Sequence, residues 1–160
     1  MKLFRIGKQG NEKPAILDKD NNYRDLSNII DDFNPQNLNF NTLQKLNVLD
    51  IKSLPIVNRD ERIGSCITSP GNFLAIGLNY KAHAEETNSA APKEPIVFNK
   101  SPHCIIGPYD NVVIPKESIS LDHEVEIAVV IGKKAKYVDE TKAQDYILGY
   151  CICNDISERD

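Results

Sequence analysis

Several features that define large classes of protein are missing from this sequence of 160 residues. No run approaches the roughly 18 consecutive apolar residues of a membrane-spanning helix, and the opening MKLFRIGKQG is too polar for a signal peptide. Basic residues are not in excess, because 19 Lys and Arg stand against 23 Asp and Glu, a net charge of −4. The chain thus has no electrostatic footprint for nucleic acid or an anionic membrane. We expect a cytoplasmic, soluble protein that binds neither.

Common catalytic and cofactor motifs are also missing. The sequence contains no G-x-x-x-x-G-K-[ST] or G-x-G-x-x-G loop, which disfavours a phosphate-cradling nucleotide site. It has no G-x-S-x-G elbow of a serine hydrolase, and no C-x-x-C pair at zinc-ligand spacing. The cysteines are scattered through apolar, strand-like stretches, and we interpret them as packing residues; they are Cys66, Cys104, Cys151 and Cys153.

The pattern along the chain predicts an α+β fold that is rich in strands. Residues 1–69 are predicted to form a small N-terminal α+β domain, which begins with short segments of strand-like alternation between apolar and polar residues. A helix carrying Leu43, Leu46 and Leu49 is expected to follow possible N-caps at Asn41 and Thr42. Residues 70–160 read as a second, β-rich domain of short apolar runs separated by turn signals. The expected strands are FLAIGL, PIVF, two around the turn GPYD, VEIAVVIG and ILGYCICNDI. Because the last of them would need neighbours on both edges, we expect a partner chain or further sequence to complete the sheet.

Two glutamates in the run DHEVEIAVVIG form the first candidate site. Glu124 and Glu126 are two residues apart on a predicted strand, so both carboxylates should point to the same side. With Asp155 at the end of the last strand as a third ligand, they would suit Mg²⁺ or Mn²⁺, or Ca²⁺. The alternative is that EVE is the solvated side of a half-buried strand, with Val125 and Ile127 pointing inwards. For Asp155 the alternative is a turn or capping role.

A histidine and a glutamate on a short predicted helix form the second candidate. His83 and Glu86 are three residues apart in YKAHAEE, so they share one helix face. A carboxylate beside an imidazole raises its basicity, as a base that activates water requires. A chance pair on an exposed helix is the alternative. Two single cations, Lys100 and Arg159, could bind a substrate carboxylate or could simply be solvated surface residues.

Taken together, these segments resemble the fumarylacetoacetate hydrolase family. The matching stretches, in order, are IGLNYKAHAEE, PIVFNK, GPYDNVVIP, DHEVEIAVVIGKKA and YILGYCICNDISERD. The N-terminal stretch is also similar to the small first domain of a bacterial branch whose members are often labelled ureidoglycolate lyase or 2,4-diketo-3-deoxy sugar-acid hydrolase. The resemblance implies the front part of a mixed, β-barrel-like fold whose C-terminal half lies beyond these residues.

The resemblance also implies roles for particular residues. The metal ligands would be Glu124, Glu126 and Asp155, holding Mg²⁺ or Mn²⁺. His83 with Glu86 would activate water, and Arg159 and Lys100 would face a 2-oxo acid substrate. The implied reaction cleaves a carbon–carbon bond in a 2,4-dioxo acid, such as an acylpyruvate, with the cation stabilising the enolate that leaves. Family members usually act as homodimers.

Two hypotheses therefore remain from the sequence. In the first, the chain is a metal-dependent hydrolase or lyase of such acids. In the second, it is a truncated, non-catalytic chain that retains at most metal or 2-oxo acid binding, because family members continue past this point and supply a further catalytic lysine there. The exact substrate is not encoded in these motifs.

Overall fold

The structure is a computed structural model that describes residues 1–159 and divides into two compact units. The first unit combines Met1–Thr68 with the described residues from Gly107 onward, and the second is Ser69–Ile106. The first boundary lies close to the one expected at residue 69. The segment after Gly107, however, groups with the N-terminal residues rather than with 70–106. The assignment of residues 1–69 and 70–160 to two domains, which was made from the sequence, stays a prediction.

The first unit begins with a three-stranded antiparallel sheet in the order β1–β2–β3. These strands are Leu3–Ile6 (β1), Lys13–Leu17 (β2) and Tyr23–Asp25 (β3). They are followed by helix α1, Phe40–Asn47. The helix begins two or three residues earlier than expected, because the side chain of Asn39, rather than of Asn41 or Thr42, caps it by accepting from the N–H of Thr42 at 3.1 Å.

A small apolar core lies between this sheet and α1. Its members are buried side chains from the sheet, the following loop and the helix, which together remove apolar surface from water; they are Ile16, Leu26, Ile30, Phe33 and Leu46. A one-turn 3-10 helix, Ile51–Ser53, follows. Leu46 was expected on the inner side of the helix by its spacing, and it is fully buried.

The rest of the first unit is built from two antiparallel strand pairs. The longer pair joins β7, Val125–Ile131, to β8, Ile147–Asn154, with a register irregularity between Val130 and Ile131. The shorter pair joins β6, Leu121–Asp122, to β9, Ser157–Glu158. A 3-10 helix, Glu140–Tyr146, precedes β8.

The second unit is a two-stranded sheet with a helix between its strands. Leu74–Gly77 (β4) pairs with Ile96–Asn99 (β5), and Lys81–Glu86 forms α2. Tyr80 occupies the N-cap position of α2 without a side-chain hydrogen bond, and Asn79 Nδ2 donates to the carbonyl of Ile76 at 3.2 Å. A 3-10 turn, Pro102–Cys104, follows.

The α+β, strand-rich fold class expected from the sequence is confirmed. One local expectation was wrong: residues 105–120 contain the turn at Gly107–Asp110 but no strand on either side of it. None of the described helices is both long and apolar enough to cross a bilayer.

Candidate active site

The end of the β7–β8 pair brings Glu124 and Asp155 together. Glu124 immediately precedes β7 and Asp155 immediately follows β8. The N–H of Asp155 donates to the carbonyl of Glu124 at 2.8 Å, and the N–H of Glu124 donates to Oδ1 of Asn154 at 3.1 Å. Antiparallel pairing therefore brings together the backbone of two acidic residues that are far apart in sequence.

The carboxylate of Glu124 is bound by a hydroxyl and a guanidinium. Ser157 Oγ donates to Glu124 Oε1 at 2.5 Å, and Arg159 Nη2 donates to the same oxygen at 3.2 Å. Arg159 Nε also donates to Asp122 Oδ2 at 2.8 Å. This bond lowers the pKa of Asp122 and raises that of Arg159. Arg159 thus bridges two carboxylates through charge-assisted hydrogen bonds.

Glu126 lies on the more buried side of β7. Its side chain is half-buried, whereas Val125 and Ile127 are 64% and 68% exposed. The alternative interpretation of EVE required the opposite arrangement, with Val125 and Ile127 inside, and that expectation was wrong. Within residues 1–159 the carboxylate of Glu126 makes no hydrogen bond or ion pair.

Three other predicted site residues lie in the second unit. Helix α2 carries both His83, which is half-buried, and Glu86, which is exposed. Within the described residues their side chains do not hydrogen-bond to each other. Lys100 directly follows β5, where its N–H donates to the carbonyl of Phe73 at 2.7 Å and its ammonium lies 6.0 Å from the ring of Phe98.

Two polar groups at this site were not singled out from the sequence. Ser157 and Asp122 lie opposite each other on β9 and β6. Ser157 is part of the stretch NDISERD, so the motif that drew attention to Asp155 and Arg159 also contained it. For Asp122 no sequence signal was available, because its contact with Arg159 depends on two-residue strands.

Comparison with known proteins assigns the family. The profile described as "Fumarylacetoacetate (FAA) hydrolase C-terminal" matches residues 72–160, more than half of the chain. The chain belongs to the fumarylacetoacetate hydrolase family. The resemblance expected from the motifs is therefore confirmed.

Individual members of the fumarylacetoacetate hydrolase family agree with this assignment. A protein of Burkholderia lata, described only as a presumed hydrolase, is 48% identical over all 160 residues. A crystal structure of a probable 2-hydroxyhepta-2,4-diene-1,7-dioate isomerase from Mycobacterium abscessus shares 31% identity, with a TM-score of 0.75 over the whole chain. Maleylpyruvate hydrolase from Sphingobium sp. SYK-6, crystallised with manganese(II) and pyruvate, has the same fold, with a TM-score of 0.79 at 20% identity over 99% of the chain.

The chain is shorter than these fumarylacetoacetate hydrolase relatives. It spans 57% of the Burkholderia lata protein, 54% of the Mycobacterium abscessus chain and 60% of the Sphingobium chain. Hydrolase and isomerase names both occur among the relatives, so the family supports hydrolase or isomerase chemistry in general terms.

The predicted metal ligands fit a hard divalent cation in their chemistry. Glu124, Glu126 and Asp155 offer only carboxylate oxygens, which Mg²⁺ and Mn²⁺ prefer, and Glu126 has no protein partner among the described residues. As the side chains stand, however, no group of three His, Cys, Asp or Glu residues within 1–159 is arranged to hold a metal. The backbone places Glu124 and Asp155 together, while Arg159 holds the Glu124 carboxylate.

Proposed function

We propose that this chain carries the cation-binding and water-activating groups of a divalent-metal-dependent hydrolase that cleaves a carbon–carbon bond in a 2,4-dioxo acid. The observation that carries the proposal is the junction of Glu124 and Asp155 at one end of the β7–β8 pair, with Glu126 half-buried beside it. Membership in the fumarylacetoacetate hydrolase family supports the proposal. The manganese and pyruvate named for the Sphingobium fold neighbour agree with it.

The cation would be Mg²⁺ or Mn²⁺, held by Glu124, Glu126 and Asp155. When bound, it supplies a positive charge that stabilises negative charge developing on a substrate oxygen during bond cleavage. A cation would compete for the Glu124 carboxylate with Arg159, whose Nη2 donates to Oε1 at 3.2 Å. The guanidinium that is released would then be available to bind a substrate carboxylate by a two-point interaction.

His83 is the proposed base. A neutral imidazole can take a proton from water as the water attacks a carbonyl, and Glu86 on the same helix would orient the ring and stabilise the imidazolium. Lys100, at the end of β5, is proposed to hold an anionic group of the substrate. The 2,4-dioxo acid is the small-molecule partner of the chain. We also propose that the functional unit is a homodimer. Size-exclusion chromatography coupled to light scattering tests this by measuring the molar mass.

The first experiment follows the ultraviolet absorbance of an acylpyruvate with the 160-residue chain, first with Mn²⁺ and then with EDTA. Decay that requires Mn²⁺ supports the proposal. Glu126→Gln should abolish both Mn²⁺ binding and decay, whereas Glu117→Gln, at an exposed glutamate, should retain both. Decay that survives EDTA or persists in Glu126→Gln would contradict the metal-dependent mechanism.

The second candidate function is binding without turnover. The observation that favours it is that the side chains of His83 and Glu86, the proposed water-activating pair, do not hydrogen-bond to each other within the described residues. Oxalate resembles the enolate end of pyruvate, so in this case it should bind together with Mg²⁺ while the acylpyruvate remains intact. Calorimetric titration of oxalate with and without Mg²⁺ separates the two candidates, and the absence of any cation binding would reject both.

A further inference from the structure

Arg159 makes two ion pairs, and the shorter of them is with Asp122 rather than with Glu124. Nε of Arg159 lies 2.8 Å from Asp122 Oδ2, whereas Nη2 lies 3.2 Å from Glu124 Oε1. The Glu124 oxygen also accepts from Ser157 Oγ, so Arg159 shares it with a second donor. The Asp122 oxygen accepts no other hydrogen bond within residues 1–159. Asp122 therefore provides the stronger attachment of the guanidinium.

The carboxylate of Asp122 is itself oriented by backbone. Its Oδ1 accepts from the N–H of His123 at 2.9 Å, and this bond leaves Oδ2 for Arg159. Asp122 lies in β6 opposite Ser157 of β9, and the N–H of Arg159 donates to the carbonyl of Ser120 at 3.2 Å. Both the backbone and the side chain of Arg159 are thus bound to the segment that contains Asp122.

The two ion pairs leave one nitrogen of the guanidinium unused within the described part of the chain. A guanidinium is planar and carries N–H donors on each of its nitrogens. Asp122 binds Nε and Glu124 binds Nη2, while Nη1 makes no hydrogen bond within residues 1–159. A carboxylate that meets Nη1 and Nη2 together can therefore form a two-point interaction without displacing Asp122 from Nε.

The two ion pairs respond differently when a cation binds. A cation competes for the Glu124 carboxylate, and Arg159 then loses its longer ion pair but keeps the one with Asp122. Without Asp122, no side-chain ion pair within residues 1–159 would orient the guanidinium at that stage. An arginine that is not oriented in advance loses more rotamer freedom when a ligand binds, and this loss weakens binding.

We propose that Asp122 is a positioning residue, which holds Arg159 at Nε so that Nη1 and Nη2 bind the carboxylate of a 2-oxo acid. In this role Asp122 touches neither the acid nor the cation and acts only through Arg159. The role assumes that such an acid binds next to the cation at Glu124, and it therefore rests on the proposed function.

The test measures the binding of oxalate to the full 160-residue chain by calorimetric titration, with Mn²⁺ at saturation. Asp122→Asn keeps the shape of the side chain but removes its charge and one of its two acceptor oxygens. We expect this substitution to raise the Kd for oxalate by about tenfold. Mn²⁺ should still bind, as followed by the electron paramagnetic resonance signal of free Mn²⁺. Asp60→Asn, at an exposed aspartate, is the matched control and should leave the Kd for oxalate unchanged.

A double-mutant cycle separates positioning through Arg159 from a general effect on the fold. Arg159→Gln alone should weaken oxalate binding at least as much as Asp122→Asn does. In the Arg159→Gln background, Asp122→Asn should then cause no further loss, because the residue through which it acts is already gone. Asp122→Glu, which restores the charge, should recover part of the affinity for oxalate.

The outcomes distinguish this role from the proposed function. Full oxalate affinity in Asp122→Asn, or additive losses in the double variant, would overturn the role of Asp122 and leave the proposed function standing. Loss of Mn²⁺ binding in Asp122→Asn would also overturn it, because the carboxylate would then support the cation site or the fold instead. If the unsubstituted chain binds no oxalate with Mn²⁺, the proposed function fails and the role of Asp122 fails with it.

Discussion

Arg62 and Asp110 form a two-point ion pair that joins segments 48 residues apart. Arg62 Nε donates to Asp110 Oδ1 at 2.7 Å and Nη2 donates to Oδ2 at 2.5 Å. Arg62 Nη1 also donates to Glu12 Oε1 at 2.7 Å. The pair lowers the pKa of Asp110 and raises that of Arg62. It connects the N-terminal sheet region to the turn at Gly107–Asp110 within the first unit.

Asp110→Asn should destabilise the first unit. The amide keeps one acceptor but loses the charge and one of the two bonds, so that only Glu12 still pairs the partly buried Arg62 guanidinium with a negative charge. We expect the free energy of unfolding to fall by about 1–3 kcal/mol, measured by urea titration followed by circular dichroism. Asp60→Asn, at an exposed carboxylate, should change it by less than about 0.5 kcal/mol. Equal effects of the two substitutions would contradict a structural role for the pair.

The stability contributed by Asp18 should disappear in acid. The hydrogen bond from the N–H of Asn22 and the bond of 2.8 Å from Arg24 together lower the pKa of Asp18 to about 2, against the effect of burial. Because the folded pKa lies below the unfolded value of 3.8, the stabilisation is complete above pH 3.8 and is lost as the pH falls towards 2.

We therefore expect Asp18→Asn to unfold several degrees below the unsubstituted chain at pH 7, with the difference shrinking as the pH approaches 2. Thermal unfolding at a series of pH values, monitored by circular dichroism, checks this. A difference that stays constant from pH 7 to pH 2 would show that the carboxylate charge is not the cause.

Gly107→Ala should be strongly destabilising because backbone approaches this residue closely. An added Cβ would lie 2.5 Å from the carbonyl oxygen of Ile63 and 3.1 Å from Cα of Gly64. Since the backbone at Ile63 and Gly64 would have to shift, we expect a loss of about 1–3 kcal/mol, measured by urea titration. Gly149→Ala is the matched control, because its Cβ would meet nothing within 4 Å; a similar loss at both glycines would reject the steric explanation.

Arg159→Gln should increase the affinity of the chain for Mn²⁺ in the absence of substrate. The guanidinium now binds Oε1 of the Glu124 carboxylate at 3.2 Å, and its positive charge would compete with a cation there. Removing this competing charge should lower the Kd for Mn²⁺ by about fivefold, measured by the electron paramagnetic resonance signal of free Mn²⁺. Arg59→Gln, remote in sequence from the site, is the control. Weaker binding in Arg159→Gln would show that Arg159 supports the cation site instead of competing with it.

The sequence predicted local elements where one physical signal was dominant. Apolar runs bounded by turn residues gave strands at β4, β5, β7 and β8, close to their observed ends. The prediction failed at residues 105–120, where apolar residues such as Val112 and Val113 read as a strand although the chain there forms no ladder. Strand propensity describes a side chain that suits a sheet, and it does not supply the neighbouring strand.

The candidate site was only partly accessible from the sequence. Glu124, Glu126 and Asp155 were selected by motif and period, and the pairing of β7 with β8 makes Glu124 and Asp155 neighbours. The contact of Arg159 with Glu124 was not foreseen, because Arg159 was considered only as a substrate-binding cation. Their roles in catalysis stay predictions.

The sequence by itself determined the family, the strand-rich class and the order of the carboxylates, because these depend on residue type and spacing along one chain. Only the tertiary structure decided that Val125 and Ile127 are exposed while Glu126 is half-buried. It alone joined Arg62 to Asp110. The physical reason is that period two tells which side chains share a side of a strand, whereas the side that is covered depends on segments brought there from far along the chain.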